Sequence, residues 1–162
     1  PFHKKMRSVA ESAIRRGVAA IGRAVAPGRG LGPSGLQAAI AATHASAPSV
    51  QDTDWDRIVL LYEALGRVAP SPVVELNWAA AVAMADGPAI GLAMMDGIAA
   101  SGELDAYPYL HAARADLLRR LERWSEAETA YSRALDLASN GAERAFLERR
   151  LTEVHGRSGA PH

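Results

Sequence analysis

Apolar residues along this chain recur at spacings of three and four, and Pro or Gly interrupts them at short intervals. Period-two alternation of β-branched residues is missing and alanine is abundant, so the pattern predicts helices and no strands. A first helix is expected over about residues 4–26, ended by Pro27 and Gly28, with Gly30, Gly32 and Pro33 as a loose linker. Ser34 and Gln37 then read as an S-x-x-Q capping box, opening a helix that runs through residues 37–45 and stops before Pro48. A third helix is expected from Thr53 to Ala69, broken by Pro70. Ser71 caps the next, with Pro72 at its first position, where a missing N–H does no harm. Further helices are expected over 88–100, 106–121 and 124–138. Asn140 and Glu143 cap a last one ending near His155, and 157–162 reads as a disordered tail.

Short turns between such helices predict antiparallel pairs, and the chain carries an internal repeat. Trp55, Ile58, Tyr62 and Leu65 recur as Trp124, Ala127, Tyr131 and Ala134, each shifted by 69 residues. That is close to twice the roughly 34-residue tetratricopeptide period. A weaker middle copy is placed at Ile90, Met94 and Gly97, which keep the spacing of four and three. In such a repeat small residues let backbones approach while a bulky one fills the gap. The most faithful copy places Ala115, Leu118, Trp124, Ala127, Tyr131, Ala134 and Leu135 at repeat positions. The fold expected is all-α: seven to eight helices in antiparallel pairs, stacked as a short tetratricopeptide-like superhelix. Pairs fall at about 34–70, 71–100 and 106–139, inside a repeat domain over 31–156. Residues 141–155 close the stack as an amphipathic cap, with Phe146, Leu147, Leu151 and Val154 on one side.

Composition narrows the chemistry. There is no cysteine among the 162 residues, which excludes disulfides, thiolate metal sites and thiol catalysis, and fits a reducing cytoplasm. No apolar run has the roughly 20 residues a membrane helix needs, and no signal peptide is expected. The chain opens on Pro1 rather than Met and is read as a piece of something longer. Net charge is zero, yet residues 1–30 carry seven bases against Glu11, a local +6. With only Phe2 as an aromatic there, base stacking lacks support and no direct DNA binding is expected.

Candidate catalytic and metal sites fail on local grounds. Asp52, Asp54, Asp56 and Glu63 occupy positions one, three, five and twelve of a calcium loop, but Arg57 stands where the sharp turn wants glycine. Acidic residues there are better explained by helix capping and the helix dipole. Gly28, Gly30 and Gly32 lack the strand before and the Lys-Ser/Thr after that a phosphate loop needs. The five histidines show no metal spacing, and no nucleophile–base set stands out. No catalytic residue, metal or cofactor is expected.

Six segments in order resemble the carboxy-terminal extension of bacterial extracytoplasmic-function sigma factors of the sigma-70 superfamily. They are GPSGLQAAIAATHA (32–45), DTDWDRIVLLYEAL (52–65), APSPVVELNWAAAVA (69–83), DGPAIGLAMMDGI (86–98), LHAARADLLRRL (110–121) and ERAFLERRL (143–151). The resemblance implies a cytoplasmic, non-catalytic interaction and regulatory domain that modulates transcription initiation. Its implied partners are the sigma core regions, RNA polymerase, or another protein or peptide regulator. The promoter- and polymerase-binding regions are missing from this segment, so alone it is not expected to direct transcription. The alternative is a free-standing tetratricopeptide-like adapter for a peptide or protein. The first helices of the pairs line the expected groove, which places Asn77, Trp78, Tyr109, Asp116, Arg119 and Arg120 there. Trp78 stands where the resemblance leads one to expect a polar residue: it is either an exposed anchor or buried by rotation of its helix.

Overall fold

The computed structural model describes residues 31–159; the expected basic helix over 4–26 lies outside them. The described residues form seven α-helices and no strand. Two compact units meet in sequence at Ala81 and Val82.

In the N-terminal unit, α1 spans Pro33–Ala45 and α2 spans Trp55–Val68, with a 3₁₀ turn over Val50–Asp52 between them. The Ser34–Gln37 capping box does not form. Gly32 is the N-cap, no side chain caps the helix, and Ser34 lies one residue inside it. Pro33 occupies the first helical position, so Ser34 lies inside the helix, past the N-cap position from which a side chain reaches the free N–H groups of the first turn. The acidic stretch after α1 is spent on local structure. Ser49 Oγ donates to Asp52 at 2.8 Å, and Asp54 accepts from the Arg57 backbone N–H at 3.1 Å as the N-cap of α2. Leu36, Ile40, Ile58, Leu65 and Ala81 form the centre of this unit, with Trp55, Tyr62 and Val74 packed around them. Ser71 Oγ accepts from the Val74 N–H at 3.1 Å and starts α3, Pro72–Asp86.

In the C-terminal unit α4 spans Pro88–Ser101, α5 Pro108–Arg120, α6 Trp124–Leu137 and α7 Gly141–Ser158. Consecutive helices pack on one another, most extensively α5 on α6 and α6 on α7. The three-residue link between α5 and α6 forces them antiparallel. Gly87 and Gly102 adopt positive φ (110° and 76°) at the two ends of α4, where a side chain would be strained. Ala127, Tyr131 and Ala134 are all but sealed from solvent, at 0%, 1% and 0% exposure. His111 is also buried and its Nε2 meets the Asp105 carbonyl at 2.8 Å, tying the α4–α5 loop to α5.

The middle copy of the repeat sits one residue later than expected. Ile90 is 52% exposed and Gly97 is exposed, whereas Gly91, Leu92, Met95 and Ile98 face inward. Gly91, Met95 and Ile98 keep the spacing of four and three, 33 residues after the Ile58 set and 36 before the Ala127 set. Both triplets are apolar enough to pass as a helix face; a one-residue step turns that face by about 100°.

The last helix is longer than expected. α7 runs through Gly156 to Ser158 instead of fraying near His155. Its start is capped by Asn140 Oδ1, which accepts from the N–H groups of Ala142 and Glu143 at 2.8 and 3.2 Å. Its end is tied to α6: Glu128 accepts from Ser158 Oγ at 2.7 Å and meets His155 Nδ1 at 2.8 Å, and Arg157 lies over the Trp124 ring. Arg144 donates to the carbonyls of Leu135 and Ala138 at the end of α6. The apolar side of this cap is narrower than the sequence implies. Leu147 and Val154 are buried, while Phe146 is 45% exposed.

Candidate protein-interaction site

Asn77 and Trp78 belong to the N-terminal unit; Tyr109, Asp116, Arg119 and Arg120 belong to the C-terminal one.

Asn77 and Trp78 are both half-buried on α3. Trp78 is therefore neither of the extremes left open by the sequence. It walls a cavity of about 290 Å³ between α2 and α3 with Tyr62, Arg67, Val74 and Glu75. Its indole Nε1 is fully buried and has no hydrogen-bond acceptor. Such an orphaned donor costs roughly 1–3 kcal/mol.

The four C-terminal residues come together on the exposed side of α5. Helical spacing of three and four puts Arg119 and Arg120 one turn beyond Asp116, and its carboxylate holds both, at 2.6 and 3.1 Å. Arg119 Nε also donates to the Tyr131 hydroxyl at 3.4 Å. Burial would pull the Arg119 pKa down, but its bonds to Asp116 and Tyr131 outweigh that and raise it. Arg120 Nη1 reaches the Met84 thioether at 3.2 Å, a weak acceptor for a cation. Tyr109 is 45% exposed; burial of its hydroxyl, with Tyr107 and Asp116 nearby, raises its pKa. Tyr107 and Tyr109 stack at a tilt with ring centres 6.1 Å apart, and both are exposed.

Two neighbouring residues escaped the sequence reading. The Tyr131 hydroxyl, on a buried side chain assigned to the core, accepts from Arg119 beneath the surface; burial raises its pKa, Asp116 adds to this, and Arg119 and Arg150 oppose it. Arg150 comes from α7. Its guanidinium stacks over Phe146 at 5.4 Å and pairs with Glu153 at 3.1 Å, yet its Nε is buried without an acceptor. A phenylalanine four residues before an arginine on a helix was the available signal.

On α5 and α6 a second cavity, about 320 Å³, is lined by His111, Arg114, Glu126, Thr129 and Arg133. Its charges are largely spent internally: Arg114 pairs with Asp96 at 2.8 Å and Glu126 with Arg123 at 2.6 Å. The hydrogen bond from Arg123 holds the Glu126 carboxyl below its ordinary range. Among the described residues no group of three or more His, Asp or Glu could hold a metal ion, and no helix is long and apolar enough to cross a membrane.

The chain is 48% identical over 124 residues to an uncharacterized protein of Rhizobium meliloti (strain 1021). The match covers 76% of this chain and 29% of that protein, so the chain spans less than a third of its relative's length. No family model matches the chain. No solved structure matches it.

Proposed function

We infer that this chain is a non-catalytic protein-interaction domain, the carboxy-terminal regulatory extension of a bacterial extracytoplasmic-function sigma factor, working in the cytoplasm on transcription initiation. The surface of α5 carries the interaction part of this reading. Arg119, Arg120, Asp116 and the exposed Tyr107 and Tyr109 form a charged patch with aromatic flanks, a composition suited to holding a protein segment. The sigma-factor part rests on the six segments in order from residue 32 to 151. Similarity to under a third of a longer protein supports reading the chain as one module of a larger one. In that setting the domain would contact the sigma core, RNA polymerase or a protein regulator and bias promoter activity.

Deleting residues 31–159 from the full-length protein tests this: output from its target promoter in a reconstituted transcription assay changes. Unchanged output at matched protein levels overturns the regulatory role. The free-standing adapter is the second reading, favoured by one observation: Tyr109, Asp116, Arg119 and Arg120 lie within a single unit. It requires a separate protein partner and a gene without sigma-type helices upstream of Pro1.

A further inference from the structure

We propose that the cavity between α2 and α3 of the N-terminal unit binds a small organic cation, an alkylated ammonium compound, through the rings of Tyr62 and Trp78 and the carboxylates of Glu63 and Glu75. This goes beyond the interaction reading above and does not depend on it.

The cavity, about 290 Å³, is made by residues 62–78 and so lies within one unit. Two residues on its wall are ones that local stability does not favour. Gly66 stands inside α2, where glycine is less stable than alanine because it leaves the unfolded backbone more freedom to lose. Nothing around it demands a glycine: its φ is not positive, and a Cβ built on it would meet no atom within 4 Å. Gly97 and Gly156 have the same open space in their helices but are exposed, whereas Gly66 is half-buried on the cavity wall. Trp78 is the second. Its side chain walls the cavity although its indole N–H is buried without an acceptor, a cost that phenylalanine or leucine would avoid. Residues that cost the fold stability while keeping a cavity open and aromatic mark a binding site.

The lining selects the ligand. Its charged members are Glu63, Glu75 and Arg67, so two carboxylates against one guanidinium leave one negative charge in surplus. Glu63 and Arg67 stand four apart in the favourable order for a helix pair. Even so, none of the three side chains makes an ion pair or hydrogen bond among the described residues. Both carboxylates are therefore open to a cation. Tyr62 and Trp78 add aromatic surface, and a cation within about 6 Å of such a ring is attracted by its quadrupole, most strongly by tryptophan. A primary ammonium is strongly hydrated, whereas an alkylated one loses less water on entry and suits the apolar contact of Val74 and Pro70. Anions are opposed by the surplus charge, and a neutral apolar molecule leaves the two carboxylates without a partner. The volume is near the lower end for ligand pockets, roughly 300 Å³, which favours a small molecule.

Isothermal titration calorimetry of the full chain with choline, and with dimethylbutanol, in which carbon replaces the charged nitrogen, tests this. Choline binds on the order of tenfold or more tightly than the alcohol. Gly66→Ala raises the melting temperature, and Gly66→Leu, which extends a side chain into the cavity, abolishes choline binding with helical circular dichroism retained. Exchanging the two exposed acids together, Glu63→Gln with Glu75→Gln, weakens choline on the order of tenfold and leaves the circular dichroism unchanged. Equal binding of choline and the alcohol, no binding of choline, or choline binding indifferent to the paired acid substitutions overturns the proposal. Tighter binding of a peptide carrying trimethyllysine overturns it in favour of a cation borne by a protein. Binding is read on the chain alone, so unchanged promoter output in the deletion assay would fell the sigma-factor reading and leave this one standing.

Discussion

The α2 helix of the N-terminal unit and the α6 helix of the C-terminal unit carry the same aromatic at the same point of the repeat, and the two tyrosines end in different places. Tyr131 is 1% exposed, enclosed between Ala127 and Ala134. Tyr62 stays half-buried on the wall of an open cavity, between Ile58 and Leu65. The flanking residues account for the difference. Alanines contribute little volume, so neighbouring backbones close around the ring; Ile58 and Leu65 fill the core themselves and leave the ring at its margin. An aromatic in a repeat is a core residue only when its neighbours leave room for it.

Truncation should separate the two tyrosines most. Tyr131→Ala is expected to destabilise by about 3–5 kcal/mol, since it opens a cavity in the best-packed part of the chain. Tyr62→Ala should lose about 1–2 kcal/mol, in keeping with its partial burial. Urea unfolding of both variants measures this, and equal losses would break the comparison. Filling the space should separate them in the opposite sense. Ala127→Leu is expected to lose about 1–3 kcal/mol by overpacking beside Tyr131. Shrinking the corresponding N-terminal position by Ile58→Val should lose only about 0.5–1.5 kcal/mol.

A smaller effect should come from the turn that lets α6 fold back on α5. Glu122 adopts φ 58°, the left-handed conformation, with Arg123 N–H reaching the Leu118 carbonyl at 2.9 Å behind it. Glycine takes this conformation freely, so Glu122→Gly should raise stability by about 0.5–1 kcal/mol, read as a higher melting temperature. A lower one would mean that the Glu122 side chain supports the turn.

The smallest effect expected is pH dependence at the α6–α7 end. The Ser158 hydroxyl, then His155, holds the Glu128 carboxyl below its ordinary range. A depressed carboxyl stabilises the fold above its unfolded pKa, and that contribution disappears as pH falls through the lower, folded value. Melting curves of the parent and Glu128→Gln should therefore differ near neutrality and converge in acid. A gap that persists in acid would point to packing instead.

The interaction surface was only partly legible along the chain. Tyr109, Asp116, Arg119 and Arg120 share one stretch of one helix, so their spacing alone puts them within reach of each other. The Tyr131 hydroxyl reaches Arg119 from a side chain enclosed in the core. No local pattern announces this contact, because it is made by the packing of α5 on α6. Trp78 shows the same limit in the N-terminal unit, where the cavity beside it exists only because α2 and α3 pack as they do.

Helical periodicity, proline at the first positions of α1, α3, α4 and α5, and the Asn140 cap are local physics, so the sequence by itself determined seven helices and nearly all their ends. It also determined the strongest repeat copy, because small–large–small spacing at Ala127, Tyr131 and Ala134 admits one inward face. Tertiary structure decided whatever the helix alone leaves degenerate. Ile90–Met94–Gly97 and Gly91–Met95–Ile98 have the same spacing, and contact with neighbouring helices selects the second. The last helix, α7, continued through Gly156 because Glu128 and Trp124 hold its last turn. In each case the local energies differ by little, and packing against another element is large enough to choose between them.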